Sequence, residues 1–508
     1  MAALTPDTVV GVVGTGAMGA GIAQVAALAG HPVKLLDSRE GAAAQAVTSI
    51  SKQLSKLAEK GKITAETAET ASMRLMAVSN LQDLADCGLV VEAIVEKLEA
   101  KQQLYAQLES IVSTNCLFGT NTSSISVTAI GSALQHPGRL AGLHFFNPAP
   151  IMRLVEVVSG LASDPEVLQT LLDTATAWGK TAVLTRSTPG FIVNRVARPF
   201  YAEGLRLSLE GAGDHATIDA ILRESGGFRM GPFELMDLIG HDVNLAVTKS
   251  VWQAFYYDQR FLPSLEQQEL VDAGFLGRKT GRGFYSYAVD APPPVAQSVA
   301  TTHLSESVQL FGKSPATQAF AHKLQAAGHP YQQLPAHTDG RIAQVGSTVL
   351  FQTDGRTATQ RANMQGLRNV VLVDLALDYH KATRLALTAA LQAEENALGN
   401  VAAMLQAAGY TVSALKDIPG MAVMRTVAML ANEAADAINQ GVCDAHSVDV
   451  AMRLGVNYPQ GPIAWAVSVG LAHIQQVLQN LAAVYGEDRY RCSPWIQQTV
   501  AATEVQHG

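Results

Sequence analysis

Short apolar runs punctuate the first 185 residues. Val9–Val13, Val33–Leu36, Leu75–Val78, Leu89–Ala93, Leu117–Asn121, Leu140–Phe145, Val155–Val158 and Thr181–Thr185 read as strands, and the continuous run Val9–Val13 is the mark of a strand buried on both faces. Longer stretches of helical character separate several of them, notably Met18–Ala29, Lys97–Val112 and Pro165–Trp178. Gly30 ends the first of these, glycine being a common helix stop. Strands alternating with helices predict a largely parallel sheet covered by helices on both faces. The segment from Ala43 to Ala71 interrupts the alternation as a polar helical insertion, with Gly61 as its turn.

The first strand leads into Gly14-Thr15-Gly16-Ala17-Met18-Gly19, and the second ends at Asp37. Strand, glycine-rich turn, helix, strand and acid are the parts of a dinucleotide site. The glycines permit the tight turn, the approach of backbone to a pyrophosphate and close helix–strand packing. Free N–H groups at the helix start attract phosphate charge. Gly14, Gly16, Ala17, Met18 and Gly19 are therefore the candidate cofactor cradle. Asp37 can accept hydrogen bonds from an adenosine ribose and would repel a 2′-phosphate, so the expected cofactor is NAD. Arg39, two residues on, weighs slightly the other way.

His144 ends a strand, where folds of this type place ligands, and Glu156 sits in the apolar run Leu154-Val155-Glu156-Val157-Val158 on the expected neighbouring strand. A glutamate in such a run is costly unless paired. A carboxylate that takes one ring N–H fixes the tautomer and leaves the other nitrogen free as a base. On the helical insertion, Lys52, Lys56 and Lys60 recur every four residues and share one face. Either a solvated surface or a cationic ledge for a substrate phosphate follows from that spacing.

The second half contains a repeat at a constant offset of 230 residues. Pro189-Gly190 returns as Pro419-Gly420, Arg195 as Arg425, Glu203 as Glu433, Asp214 as Asp444, Asp219 as Asp449, and Gly231-Pro232 as Gly461-Pro462. Two related helical domains follow from it. The second copy carries Met424 where the first has Asn194, so it reads as structural. Between the copies, Pro292-Pro293-Pro294 marks a linker, Asn369–Asp374 reads as a strand, and Lys381–Ala408 as one or two helices. This is a small α/β module without a glycine fingerprint. His303, His322, His329 and His337 fall in its loop-rich part without a ligand spacing, and no metal site is expected.

A net charge of −8 argues against nucleic-acid binding. Cys87, Cys116, Cys443 and Cys492 are isolated, which suits reduced thiols and a cytoplasmic location. No apolar run approaches membrane-spanning length, and no membrane partner is expected.

Five blocks, Gly14–Gly19, Val91–Glu96, Asn121–Ser124, His144–Glu156 and Pro189–Arg195, together with Gly277–Tyr285, resemble the L-3-hydroxyacyl-CoA dehydrogenase family from about residue 5 to residue 288. The resemblance implies His144 as general base, Glu156 as its orienting partner, and Ser123 and Asn194 as donors near the substrate oxygen. It implies that Asp37, Glu96, Lys101 and Ser123 contact NAD, and that Lys52, Lys56, Lys60 and Asn147 face an acyl-CoA substrate. It further implies a Rossmann-type α/β domain followed by tandem all-α domains of the 6-phosphogluconate-dehydrogenase-like kind, with the small α/β module between them. The expected boundaries are 1–186, 187–288, 289–416 and 417–508. In the family's short members the helical domain mediates dimerisation. A tandem copy could fill that role within one chain, and a homo-oligomer stays open. The overall layout resembles the family's long form, which implies an ω-carboxylated acyl chain of the adipyl type. The alternatives are a short 3-hydroxybutyryl substrate, a free hydroxy acid on the same scaffold, and a non-catalytic NAD-binding protein.

Overall fold

The computed structural model describes Ala2–His507, with side chains to Thr503. The chain divides into two compact units. One comprises residues up to Arg195 together with Gln440–Val456, and the other Val196–Asn439 together with Asn457 onward.

The first unit is built on β1 (Val10–Val13), β2 (Val33–Leu36), β3 (Leu75–Ala77), β4 (Leu89–Glu92), β5 (Leu117–Thr120), β6 (Leu140–Phe145), β7 (Leu154–Ser159) and β8 (Thr181–Arg186). They form one sheet in the order β3-β2-β1-β4-β5-β6-β7-β8, parallel except where β6 meets β7. β1, β4 and β6 are buried along their whole length, which is why their sequences are apolar without alternation. The antiparallel pairing of β6 with β7 sets His144 directly opposite Glu156.

The helix Ala17–Leu28 follows β1 through the glycine turn. Gly14 has φ +92°, and a Cβ there would lie 2.5 Å from the Ala93 carbonyl oxygen. A Cβ on Gly19 would lie 1.8 Å from the Gly14 oxygen. Both positions exclude a side chain, one through conformation and contact, the other through contact alone. The polar insertion forms two helices, Ala42–Glu59 and Ala65–Met73, with Gly61 in the turn between them. Ala43, Ala46, Ile50 and Leu54 give the first of these its buried face. This unit also contains a helix from the second repeat, Ala445–Gly455, which packs against β7 and β8.

The second unit holds most of both helical copies and a second sheet. Its strands are β9 (Val308–Phe311), β10 (Gln332–Leu334), β11 (Ala343–Val345), β12 (Thr348–Gln352), β13 (Val370–Val373), β14 (Arg384–Ala389) and β15 (Thr411–Ala414), in the order β10-β9-β11-β12-β13-β14-β15. The expected helices over Lys381–Ala408 are only half correct: Arg384–Ala389 is a strand and Ala397–Ala407 a helix. The run Arg384-Leu-Ala-Leu-Thr-Ala has helix-forming residues, but it is nearly fully buried between β13 and β15, and pairing overrides local preference. His322 likewise lies on a helix, Pro315–Ala326, rather than in a loop.

The 230-residue register reaches further back than Pro189. β7 maps onto β14 residue for residue, β8 onto β15, and the helix Pro165–Ala177 onto Ala397–Ala407. Even an unusual backbone recurs: Phe191 has φ +47° and its counterpart Met421 +53°. The helices Arg198–Leu209 and Val423–Asn439, equivalent in the two copies, pack against each other within this unit. Buried charges cross the contact. Arg425 pairs with Glu203 at 2.6 Å and with Glu210 at 2.9 Å, while Arg260 pairs with Glu433 and Asp436. Buried pairs of this kind add little net stability, but losing one partner strands the other charge.

Candidate active site

The carboxyl ends of β1, β2 and β4 open onto a cleft of about 900 Å³ lined by Gly14, Gly16, Asp37, Arg39, Asn80, Ile94 and Val95, among others. Nothing lies within 4 Å of a Cβ built on Gly16, so backbone is bare where a pyrophosphate would approach. Asp37 accepts from the Thr15 amide and hydroxyl, both at 2.8 Å, and from the Arg39 amide and side chain. Partial burial opposes its charge, but the Arg39 and Thr15 donors outweigh it and hold the carboxyl well below the usual aspartate range. Arg39, whose weight toward a 2′-phosphate the sequence left open, is tied to Asp37.

Glu96 organises the next turn. Its Oε1 accepts from the Thr122 hydroxyl at 2.6 Å and from the Ser123 amide at 3.0 Å. Burial raises its pKa, yet these donors and Lys101 together hold it below the ordinary glutamate value. Lys101 is 1% exposed, with Nζ 2.5 Å from Glu92 and 3.2 Å from Glu96. Its ammonium is thus enclosed by carboxylates rather than presented to the cleft. The Ser123 hydroxyl has no hydrogen-bond partner among the described residues.

His144 and Glu156 meet as their register requires. Nδ1 lies 2.7 Å from Oε2, with His144 5% exposed and Glu156 fully buried. The other carboxylate oxygen accepts from the Ile192 and Val193 amides, each at 3.0 Å. Every lone-pair direction of a buried carboxylate is costly to leave empty, and here both oxygens are engaged. The pair pins the imidazole at Nδ1 and leaves Nε2 available. Phe146 and Phe191 pack on the ring at 4.5 and 5.7 Å between centroids. The same carboxylate fixes the start of the short helix Val193–Val196, and so the position of the half-buried Asn194.

A second cleft, about 650 Å³, runs between the helices Ala17–Leu28 and Ala42–Glu59 and the loop after His144. Asn147 and Lys56 line it, with Gly16, Ala17 and Arg39. Lys52 and Lys60 are exposed but are not part of its wall. Lys180, 8% exposed, ties the loop down by donating to the Ala149 and Met152 carbonyls. Sequence reasoning missed Glu92, Thr122 and Lys180. A glutamate ending the apolar strand Leu89–Glu92 was a readable signal; a lysine that binds carbonyls thirty residues away was not.

The chain as a whole has counterparts among known proteins. Residues 9–188 match the model of the 3-hydroxyacyl-CoA dehydrogenase NAD-binding domain, and residues 190–287 and 420–507 each match that of its C-terminal domain. Residues 350–419 match the 3-hydroxybutyryl-CoA dehydrogenase reduced Rossmann-fold domain. The 3-hydroxyadipyl-CoA dehydrogenase of Escherichia coli is 44% identical over 95% of this chain and 96% of its own. A crystal structure of 3-hydroxybutyryl-CoA dehydrogenase from the same organism superposes with TM-score 0.89 at 42% identity, covering 99% of this chain and all of that one. The probable 3-hydroxybutyryl-CoA dehydrogenase of Deinococcus radiodurans is 41% identical over 54% of this chain and 99% of its own. The chain belongs to the 3-hydroxyacyl-CoA dehydrogenase family. It is an NAD-dependent enzyme of that class, in the long form that carries three kinds of family domain.

Proposed function

We propose that the chain oxidises (3S)-3-hydroxyadipyl-CoA to 3-oxoadipyl-CoA, with His144 as the base. The observation that carries the chemistry is the 2.7 Å bond between His144 Nδ1 and a fully buried Glu156. The substrate 3-hydroxyl gives its proton to Nε2, and Glu156 stabilises the imidazolium that forms. Bound NAD supplies the hydride acceptor. Ser123 and Asn194 hold the substrate oxygen while the C3–H bond breaks. Glu96 positions Ser123 through its amide, and Lys101 acts through Glu96. Asp37 selects NAD over NADP by taking the ribose hydroxyls.

Lys56 and Asn147, on the wall of the second cleft, contact the CoA portion, with Lys52 and Lys60 adding to the local positive potential. The adipyl chain is supported by the 44% identity along nearly the whole length of the hydroxyadipyl relative. A short hydroxybutyryl substrate is the second reading, favoured by the activity named for the superposed E. coli structure. NADH formation with 3-hydroxybutyryl-, 3-hydroxyadipyl- and long-chain 3-hydroxyacyl-CoA decides between them. The first reading requires the highest kcat/KM for the ω-carboxylated substrate. The proposed domain limits remain 1–186, 187–288, 289–416 and 417–508, in a cytoplasmic enzyme whose tandem helical domain replaces a partner's.

A further inference from the structure

The second repeat departs from the first at Met424 and reads as catalytically silent, yet one of its helices belongs to the dehydrogenase unit. Residues 440–456 group with the sheet that carries His144 and Glu156, and the helix Ala445–Gly455 packs on β7 and β8. The attachment is specific at both ends. At the entry, the Arg186 amide donates to the Val442 carbonyl at 3.0 Å. At the exit, a Cβ on Gly455 would lie 2.8 Å from Leu154 Cδ2 and 3.0 Å from Val193 Cγ2. Gly455 is not in the left-handed region, so conformation does not demand a glycine there. Glycine at a helix end with ordinary φ costs stability relative to alanine, and close approach is the physical reason to carry it.

Leu154 and Val193 are the two residues through which this helix would reach the site. Leu154 opens the strand that carries Glu156, and the Val193 amide is one of the two backbone donors to the Glu156 carboxylate. Both are buried, with 0% and 2% exposure, so neither can move aside freely. The segment lies near the charge itself: the Cys443 thiol is pushed up to about 12 by burial and by the Asp444 and Glu156 carboxylates.

The other unit contains the mirror image of this contact. Ser225, the register equivalent of Gly455, donates at 2.5 Å to the carbonyl of Arg384, the equivalent of Leu154, and its helix His215–Glu224 packs on β14. Each repeat's helix therefore covers the strand of the other repeat's module, at equivalent residues. Of the two covered strands, only β7 carries a carboxylate facing a histidine.

We propose that the helix Ala445–Gly455 is a positioning element of the dehydrogenase site, holding Leu154 and Val193 and through them the Glu156 carboxylate that orients His144. This rests on the reading of His144 and Glu156 as base and partner. The fused second repeat thus supplies a part of the catalytic domain from within the same chain.

The test uses the full chain with Gly455→Ala and Gly455→Val, beside Arg453→Ala on the exposed side of the same helix and Glu156→Gln as reference. Displacement of a catalytic group by about 1 Å costs on the order of a hundredfold in rate, so Gly455→Val should lower kcat by about ten- to a hundredfold. Gly455→Ala should act in the same direction but less. KM for NAD should stay unchanged in both, because the cofactor cleft is not touched. The rate's dependence on pH should shift toward that of Glu156→Gln, a change that simple loss of stability would not produce. Leu154→Val combined with Gly455→Ala should restore part of kcat. Wild-type kcat and pH profile in folded Gly455→Val, or an equal loss in Arg453→Ala, overturns the proposal. If Glu156→Gln itself keeps full activity, the underlying reading of the site falls instead.

Discussion

Asp374 occupies the repeat position of His144, yet its carboxylate holds the backbone that Glu156 holds in the first copy. It accepts from the Ala422, Val423 and Met424 amides at 2.9, 2.7 and 3.0 Å. Those residues are equivalent to Ile192, Val193 and Asn194, the first two of which donate to Glu156. The position equivalent to Glu156 is Ala386. In the second copy the start of the helix is thus held from the end of β13 rather than from β14. Neither member of the His144–Glu156 pair is therefore present at its equivalent position in the second copy.

Replacing His144 with Gln should lower kcat by about 10²–10⁴-fold, the usual contribution of a positioned acid–base group. NAD affinity, read by fluorescence titration, should be unchanged. Retention of more than about a tenth of wild-type kcat would exclude His144 as the base.

Asp37→Ala should weaken NAD and relax discrimination against NADP by about tenfold or more, since hydrogen bonds to a charged group are worth about 1.5–3 kcal/mol. The change frees Arg39, so NADP use should rise in Asp37→Ala and not in Asp37→Ala/Arg39→Ala. The pH dependence follows from the direction of the shift. A carboxyl depressed by Arg39 and Thr15 keeps its charge as pH falls through the ordinary aspartate value. NAD affinity should therefore stay level on acidification from neutral to about pH 4 in a buffer series on the folded enzyme. A drop centred on the ordinary aspartate value would refute it.

Lys56→Ala should raise KM for the acyl-CoA several-fold with little change in kcat. Lys52→Ala and Lys60→Ala should do less, because only Lys56 lines the cleft. All three effects should shrink with added salt as the Debye length falls to about 8 Å near physiological ionic strength. A larger effect at Lys52 would place the CoA elsewhere on the helix.

Met424→Asn should leave kcat unchanged, because Asp374 rather than a histidine stands at the position equivalent to His144. Asp374→Asn should lower unfolding free energy by about 1–3 kcal/mol in urea titrations, since an amide cannot accept from all the N–H groups that the carboxylate serves. Deleting residues 419–508 should strip Glu203 of its Arg425 and Tyr490 partners, expose the packed face of Arg198–Leu209, and cause aggregation or new self-association. A soluble, monomeric and fully active truncation would contradict this.

The sequence by itself determined the features that depend on neighbours along the chain. The apolar runs named every strand of the first sheet to within a residue or two, and β1, β4 and β6 show no polar alternation because they are buried on both faces. The glycine turn was legible because Gly14 and Gly19 leave no space for a Cβ. The spacing of His144 and Glu156 pointed to facing strands, and the constant 230-residue offset exposed the duplication. Tertiary structure decided the rest. Arg384–Ala389 became a strand through pairing on both sides, against its local preference. Lys101, expected to contact NAD, is buried against Glu92 and Glu96, and a single lysine of three reached the cleft. The assignment of Gln440–Val456 to the first unit has no local signal at all, since it follows from which surfaces meet once the chain has doubled back. Strand pairing, the burial of a charge and the docking of a distant helix are set by which groups meet in space, at separations from five residues for Lys101 and Glu96 to nearly three hundred for the helix Ala445–Gly455, and only the folded chain brings those partners together.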